Sequence, residues 1–307
     1  MTEAERQRSD DRDATDAPDA PVELTPPIGL IAAGGGLPLA AVRGIHAARR
    51  RVVCVGLRGQ FHPELPATCD MFLQAGLIQL GRWIRLLKKH GCREALMLGK
   101  VHKERMYDPF RWFRYVPDLR AGKLWFGILR HDKRPDSMLG AIAGEFALDG
   151  ITMIDSTRYI PELMAHEGVM TKTKPTGAQL ADIEFALPII HRLGDLDIGQ
   201  SIAVSDRDVI AVEAIEGTDS MIERAGVLCK RGKWTLVKIA KPGQDMRFDV
   251  PTVGPQTILN MQRNGGTCLA VEAGKTILLD KPQFLELADR AGIAVVGLSV
   301  MDAMAGK

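Results

Sequence analysis

Ile28-Gly-Leu-Ile-Ala-Ala33 runs into Gly34-Gly35-Gly36-Leu-Pro38. An apolar-periodic segment follows from Leu39 to Arg50, and then Arg51-Val-Val-Cys-Val-Gly56. This stretch decides the fold. A short apolar run bounded by glycines reads as a buried strand, and the spacing after it reads as a helix. Strand, glycine turn, helix and strand make a βαβ unit, which builds a parallel sheet through a right-handed crossover. Glycines let the backbone turn tightly and approach a ligand, and a helix N-terminus offers free N–H groups to an anion. The dinucleotide fingerprint GxGxxG is absent, because Leu37-Pro-Leu39 follows the glycines. Gly56-Leu-Arg58 also stands where an acidic residue should close the second strand. A nicotinamide dinucleotide is therefore not expected. A phosphate contact by Gly34, Gly35 and Gly36, and a plain tight turn, remain as two readings.

Working outward, the alternation continues. Gln79 to His90 carries Leu80, Trp83, Ile84, Leu86 and Leu87 at helical spacing and stops at Gly91; Ala95 to Gly99 is a strand. Lys100 stands just past that strand. Ligands of open α/β sheets sit beyond the carboxyl ends of strands, so Lys100 is a candidate phosphate contact, with a solvated lysine as the plain alternative. Asp136 to Leu148 reads as a helix, Ile151 to Ile154 as a strand, and Asp155 to Met170 as the connection between two halves. Lys172 and Lys174 precede Pro175. A helix from Thr176 to Leu193 follows, with Thr176 as N-cap and Gly194 as stop. From Asp197 the texture changes: Gln200–Val204 and Val209–Ile215 flank a Ser-Asp-Arg-Asp turn, a hairpin that makes the second sheet antiparallel or mixed. Strands at 267–271, 276–279 and 293–298 and a helix at 282–291 complete the chain. The expected fold is α/β. A disordered tail (1–27) precedes a Rossmann-like parallel-sheet domain (28–157), and a mixed α/β catalytic domain (158–307) follows, with the active site between the two domains.

Composition narrows the function. The chain has 307 residues, 46% hydrophobic and 25% charged, with formal net charge +2. That length favours two domains, and that charge gives no reason to expect nucleic acid. Five scattered cysteines show no zinc spacing and fit a reducing compartment. No apolar run approaches the roughly 20 residues that span a bilayer, and no signal-peptide core is present, so a cytoplasmic protein is expected. Residues 103–130 are basic and rich in aromatics: Tyr107, Phe110, Trp112, Phe113, Tyr115, Trp125 and Phe126. Buried helices, a nucleic-acid face and a lipid-facing surface are the three readings of that stretch.

Chemistry concentrates in Lys241-Pro-Gly-Gln-Asp245-Met-Arg247-Phe-Asp249-Val-Pro251. Prolines and Gly243 argue against a helix, so this is a rigid loop leaving a sheet edge after the strand Trp234–Ala240. It is either a metal- and phosphate-handling loop or a salt-bridged surface loop. Hard carboxylate oxygens suit Mg²⁺, and Arg247 and Lys241 suit phosphate. Glu216-Gly-Thr-Asp219 has the same acidic character, although Ser220 and Glu223 also fit a capping box. Ala211-Val-Glu-Ala214 recurs as Ala270-Val-Glu-Ala273, each ahead of a helix ending Arg-Ala-Gly.

Five stretches carry a resemblance to a known family. They are Gly29 to Pro38, Leu196-Asp-Ile-Gly-Gln-Ser201, Ala211 to Asp219, Lys241 to Pro251, and Gly254-Pro-Gln-Thr257. From Ile28 onward the chain resembles the LpxI type of UDP-2,3-diacylglucosamine diphosphatase of lipid A biosynthesis. The resemblance implies a two-domain cytoplasmic enzyme, peripheral to the inner membrane, that cleaves UDP-2,3-diacylglucosamine to UMP and 2,3-diacylglucosamine 1-phosphate (lipid X). It implies Mg²⁺ or Mn²⁺ and attack of water on the sugar-side phosphorus; a homodimer is the assembly allowed for. Asp249 resembles the essential carboxylate, with Asp245 as its catalytic partner, and Asp219, Asp245 and Asp249 as metal ligands. Substrate contacts are expected from Gly34, Gly35, Gly36, Lys100, Lys172, Thr218, Lys241 and Arg247. Two acyl chains would give the aromatic stretch an apolar partner.

Overall fold

The computed structural model describes residues 25–100, 118–124, 126–127 and 135–299. The tail up to residue 24 and most of the aromatic stretch lie outside the described residues.

The first half is built on β1 (Ile28–Ala32), α1 (Leu37–Ala47), β2 (Val52–Leu57), α2 (Leu65–Thr68), β3 (Met71–Ala75), α3 (Leu80–Lys89) and β4 (Glu94–Leu98). Then come α4 (Leu119–Leu124), α5 (Pro135–Leu148) and β5 (Thr152–Met153). The strands form one parallel sheet in the order β3-β2-β1-β4-β5. Every residue of β1 and β2 is buried, as a strand covered by helices on both faces must be. Ile28, Leu30 and Ala32 face a core shared with α1, while Ile31 faces one shared with α3 and α5. This is the expected Rossmann-like parallel domain. The short β3 and α2 were not anticipated: four of the five residues in Met71-Phe-Leu-Gln-Ala75 are exposed or half-buried, so no apolar run or clean alternation announces a strand.

The order reverses between β1 and β4, where β1 leads to the glycine turn and β4 to Gly99 and Lys100. Gly34 and Lys100 exchange backbone hydrogen bonds of 3.1 and 2.8 Å. Gly99 sits at φ +109°, and a Cβ there would lie 2.7 Å from the carbonyl carbon of Ala33. Only glycine lets the two loops approach so closely.

The second half contains β6 (Gly168–Val169), α6 (Gly177–Asp195), β7 (Ser201–Ser205), β8 (Asp208–Val212), α7 (Thr218–Leu228) and β9 (Trp234–Lys238). They are followed by β10 (Thr252–Val253), α8 (Pro255–Arg263), β11 (Gly266–Glu272), β12 (Ile277–Leu278), α9 (Lys281–Ala291) and β13 (Ala294–Leu298). Six strands make a mixed sheet, β6-β13-β11-β9-β7-β8, and β10 pairs with β12 in parallel. β7 runs antiparallel to both neighbours, and β9, β11 and β13 run together. β8, β9, β11 and β13 therefore end at one edge. α6 covers one face through Ile183, Ala186, Leu187 and Ile190; α7, α8 and α9 cover the other through Ile222, Ile258 and Phe284. Thr176 caps α6 in a reciprocal box with Gln179.

Four local expectations are corrected. β9 lies between β11 and β7, so the 241–251 loop leaves the interior of the sheet and not an edge. α7 starts at Thr218 with Gly217 (φ +83°) as its N-cap, one turn too early for a Ser220–Glu223 box. α6 runs through Gly194 to Asp195, because its last turn packs on the chain at Lys241 and Pro242. Arg224-Ala-Gly226 lies inside α7, so only Arg290-Ala-Gly292 ends a helix.

The halves are joined by more than the connection at 155–170. Tyr159 and Ile160 pack in the first-half core, and so does Ile277 from the second half. Among the described residues no helix is long and apolar enough to cross a membrane.

Candidate active site at the carboxyl edge of the second sheet

β9 alternates strictly. Thr235 and Val237 turn toward α6, while Trp234 and Leu236 turn toward α7 and α8. Lys238 shares the second direction and is buried, only 5% exposed. Its ammonium donates to Thr218 Oγ1 at 2.8 Å, and the Thr218 hydroxyl donates to Glu213 Oε1 at 2.8 Å. Glu213 is itself buried, and its second oxygen, Oε2, has no hydrogen-bond partner among the described residues. Burial pushes the Lys238 pKa below its ordinary value, while Glu213, Asp219 and Asp249 act on its charge in the opposite direction.

The 241–251 segment is an ordered loop, as expected. The Gln244 side chain organises it: Oε1 accepts from the Lys241 N–H at 2.8 Å, and Nε2 donates to Asp249 Oδ2 at 2.8 Å. Asp245 takes the Arg247 guanidinium with both oxygens, at 2.6 to 3.1 Å. Those bonds hold the Asp245 carboxyl below its usual range and push the Arg247 guanidinium up. The carbonyl of Asp245 accepts from the N–H groups of Phe248 and Asp249. Lys241 Nζ reaches Asp197 Oδ1 at 2.5 Å. Phe248 packs on one core of the first half and Val250 on the other, and the Met246 carbonyl accepts from the Ser156 hydroxyl at 2.8 Å. The loop is thus covalently part of one half and packed into the other.

Asp219, in the first turn of α7, accepts from Asn260 Nδ2 at 2.9 Å, and Gln256 donates to Asn260 at 2.8 Å. Glu272, at the end of β11, accepts from the Ala240 N–H at 2.9 Å and pairs with Lys275. On the other side, a Cβ on Gly36 would lie 4.0 Å from Leu279, and one on Gly254 would lie 3.3 Å from the same side chain. The glycine turn therefore stands beside the start of α8, about one and a half helical turns from Asn260.

The expected residues divide into three groups. Thr218, Asp219, Lys241, Asp245, Arg247 and Asp249 come together at the carboxyl edge. Gly34, Gly35, Gly36 and Lys100 form the neighbouring lip of the first sheet. Lys172 does not join them: its N–H is held by Asp289 at 2.7 Å near the end of α9, at the opposite edge of the second sheet. Among the described residues no three acidic, histidine or cysteine side chains form a group that could by itself hold a metal. Sequence reasoning missed Lys238, Glu213, Glu272, Gln244 and Asn260. A signal existed for three of them. Lys238 is a lone charge inside an apolar strand, and the repeated Ala-Val-Glu-Ala puts Glu213 and Glu272 at two strand ends on the same edge.

Comparison with known proteins agrees with this architecture. Residues 27–163 match the model of the LpxI N-terminal domain, and residues 166–296 match that of the LpxI C-terminal domain. A curated relative, the UDP-2,3-diacylglucosamine pyrophosphatase LpxI of Caulobacter vibrioides, is 31% identical over 281 residues, covering 88% of this chain and 97% of the relative. With both halves matched in order and the relative covered almost end to end, the chain belongs to the LpxI family.

Proposed function

We propose that the chain hydrolyses the pyrophosphate of UDP-2,3-diacylglucosamine, giving UMP and 2,3-diacylglucosamine 1-phosphate. Water adds to the sugar-side phosphorus, the bond from that phosphorus to the bridging oxygen breaks, and the bridging oxygen leaves with UMP. The likeness to the Caulobacter relative supports the substrate. The observation that carries the site is the buried Lys238 ammonium bonded to Thr218, which is itself bonded to the buried Glu213 and is followed in the chain by Asp219.

The donor set fits a divalent cation. The charges of Glu213, Asp219 and Asp249 all act on the one buried ammonium, and carboxylates in excess of cations would repel a pyrophosphate. Asp219 and Asp249 are exposed, and among the described residues each keeps one oxygen free of partners. Mg²⁺ is commonly held by one or two carboxylates plus substrate phosphates, so Asp219 and Asp249 would hold it here. Asp245 is committed to Arg247 and would serve by fixing the loop. The bound ion would supply charge neutralisation at the phosphoryl oxygens and lower the pKa of water. Lys241 and Arg247 would meet phosphate charge, and Gly34 to Gly36 with the Lys100 strand end would hold the nucleotide side. The two acyl chains of the substrate make peripheral membrane contact part of the same proposal.

Phosphorus NMR of the purified protein with UDP-2,3-diacylglucosamine, with Mg²⁺ and with EDTA, tests this beside Asp249→Ala. Metal-dependent appearance of UMP and the sugar phosphate, abolished by Asp249→Ala, is expected. Folded wild-type protein that releases neither would refute the function. Turnover that survives Asp249→Ala would move the chemistry to another carboxylate.

A further inference from the structure

We infer that Lys238 is a positioning residue for this hydrolysis: its buried ammonium, tethered to Thr218, which is bonded to Glu213, fixes the first turn of α7 and with it how Asp219 is presented. The inference deepens the function proposed above and rests on it.

Stability alone does not explain this lysine. A buried ion pair is often no better than apolar side chains of the same volume, and every neighbour of Lys238 along β9 is apolar or small. A pair selected for stability would also be closed. Here, among the described residues, the ammonium donates to Thr218 alone, and the buried Glu213 Oε2 accepts from nothing. Such a group in a native site calls for a reason beyond packing.

Topology supplies the reason. Glu213 and Thr218 belong to one short connection, from the end of β8 to the start of α7, and Asp219 is the next residue. Gly199 allows this connection to sit tightly, since a Cβ there would lie 2.0 Å from the Glu213 carbonyl oxygen. Anchoring the Thr218 hydroxyl to a rigid central strand therefore fixes the first turn of α7, and Asn260 fixes Asp219 from the far side. Misplacing such groups by about 1 Å can cost 10²-fold in rate.

The test separates charge balance from positioning. Lys238→Met leaves Glu213 buried and unpaired, so its Tm should fall. The double variant Glu213→Gln with Lys238→Met removes both buried charges at constant volume, so Tm should recover toward wild type. Its kcat should stay about 100-fold down, with KM within about threefold. Lys238→Arg, which keeps the charge but displaces it, should hold Tm and lose kcat with KM unchanged. A double variant with wild-type Tm and wild-type kcat would overturn the inference and leave Lys238 as a counter-charge only. Should the double variant fail to fold, Lys238→Arg with undiminished kcat overturns it equally. Wild-type protein without turnover of UDP-2,3-diacylglucosamine would overturn the function and this role together.

Discussion

Gly99→Ala is the sharpest structural test of the first-half site. The residue sits at φ +109°, and an added Cβ would meet backbone, at 2.7 Å from the Ala33 carbonyl carbon and 2.8 Å from the Gly34 oxygen. Backbone cannot swing aside as a side-chain end can, so the loops after β1 and β4 must part. A non-glycine residue in the left-handed region costs about 1–2 kcal/mol. The two Gly34–Lys100 hydrogen bonds go with it, at about 1 kcal/mol each. The total is about 3–4 kcal/mol, a large share of the 5–15 kcal/mol typical of a folded domain. For a chain of 307 residues, at about 2.1 cal/mol/K of unfolding entropy per residue, that corresponds to a fall in Tm of about 5–6 °C. The glycine turn would also lose its partner strand, so KM for the nucleotide sugar should rise about tenfold, the equivalent of one hydrogen bond. Thermal unfolding by circular dichroism and a KM measurement at a permissive temperature check both. A Tm within about 2 °C of wild type would refute the claim that the loops are locked by glycine.

Three other perturbations read the second-half site. Arg247→Lys keeps the charge but loses the two-pronged hold on Asp245, so the loop should loosen and kcat/KM fall about tenfold by steady-state assay. Asp245→Asn gives a pH test: the native carboxyl is held low by Arg247, so its contribution is present above the ordinary carboxylate pKa and is lost as pH falls through the lowered value. The variant should therefore melt a few degrees lower than wild type at neutral pH, and the gap should close toward strongly acid pH. Asn260→Leu removes the donor that orients Asp219, so under the Mg²⁺ dependence proposed above the concentration for half-maximal activity should rise about tenfold in a metal titration.

What was legible in the chain follows from how each element is stabilised. β1, α1, β2, α3 and β4 announce themselves because a strand buried on both faces is a continuous apolar run and an amphipathic helix has a 3.6-residue period. β3 is half-exposed, and α8 hides behind Gly254-Pro255, which reads as a turn although proline is at home in the first turn of a helix. The acidic loop was visible as a cluster because its charges adjoin in sequence. The division of labour within it was not, since only the fold shows that Arg247 occupies Asp245 while Asp249 keeps a free oxygen. Lys238 and Glu213 escaped for the opposite reason: each is a single charge among apolar neighbours, and their meeting is produced by strand order. Lys172 looked equivalent to Lys241, and the sheet puts it at the wrong end.

Phe248 and Val250 are set in the two cores of the first half while Asp245 and Asp249 stand between and beside them. The consequence is one of inheritance. A chimera that joins the first half of one relative to the second half of another would import a loop whose apolar anchors were shaped by a different host. Substitutions at Phe248 and Val250 should therefore have travelled through descent with the two first-half cores they pack against, and hybrids should regain turnover only when core and anchor come from the same parent.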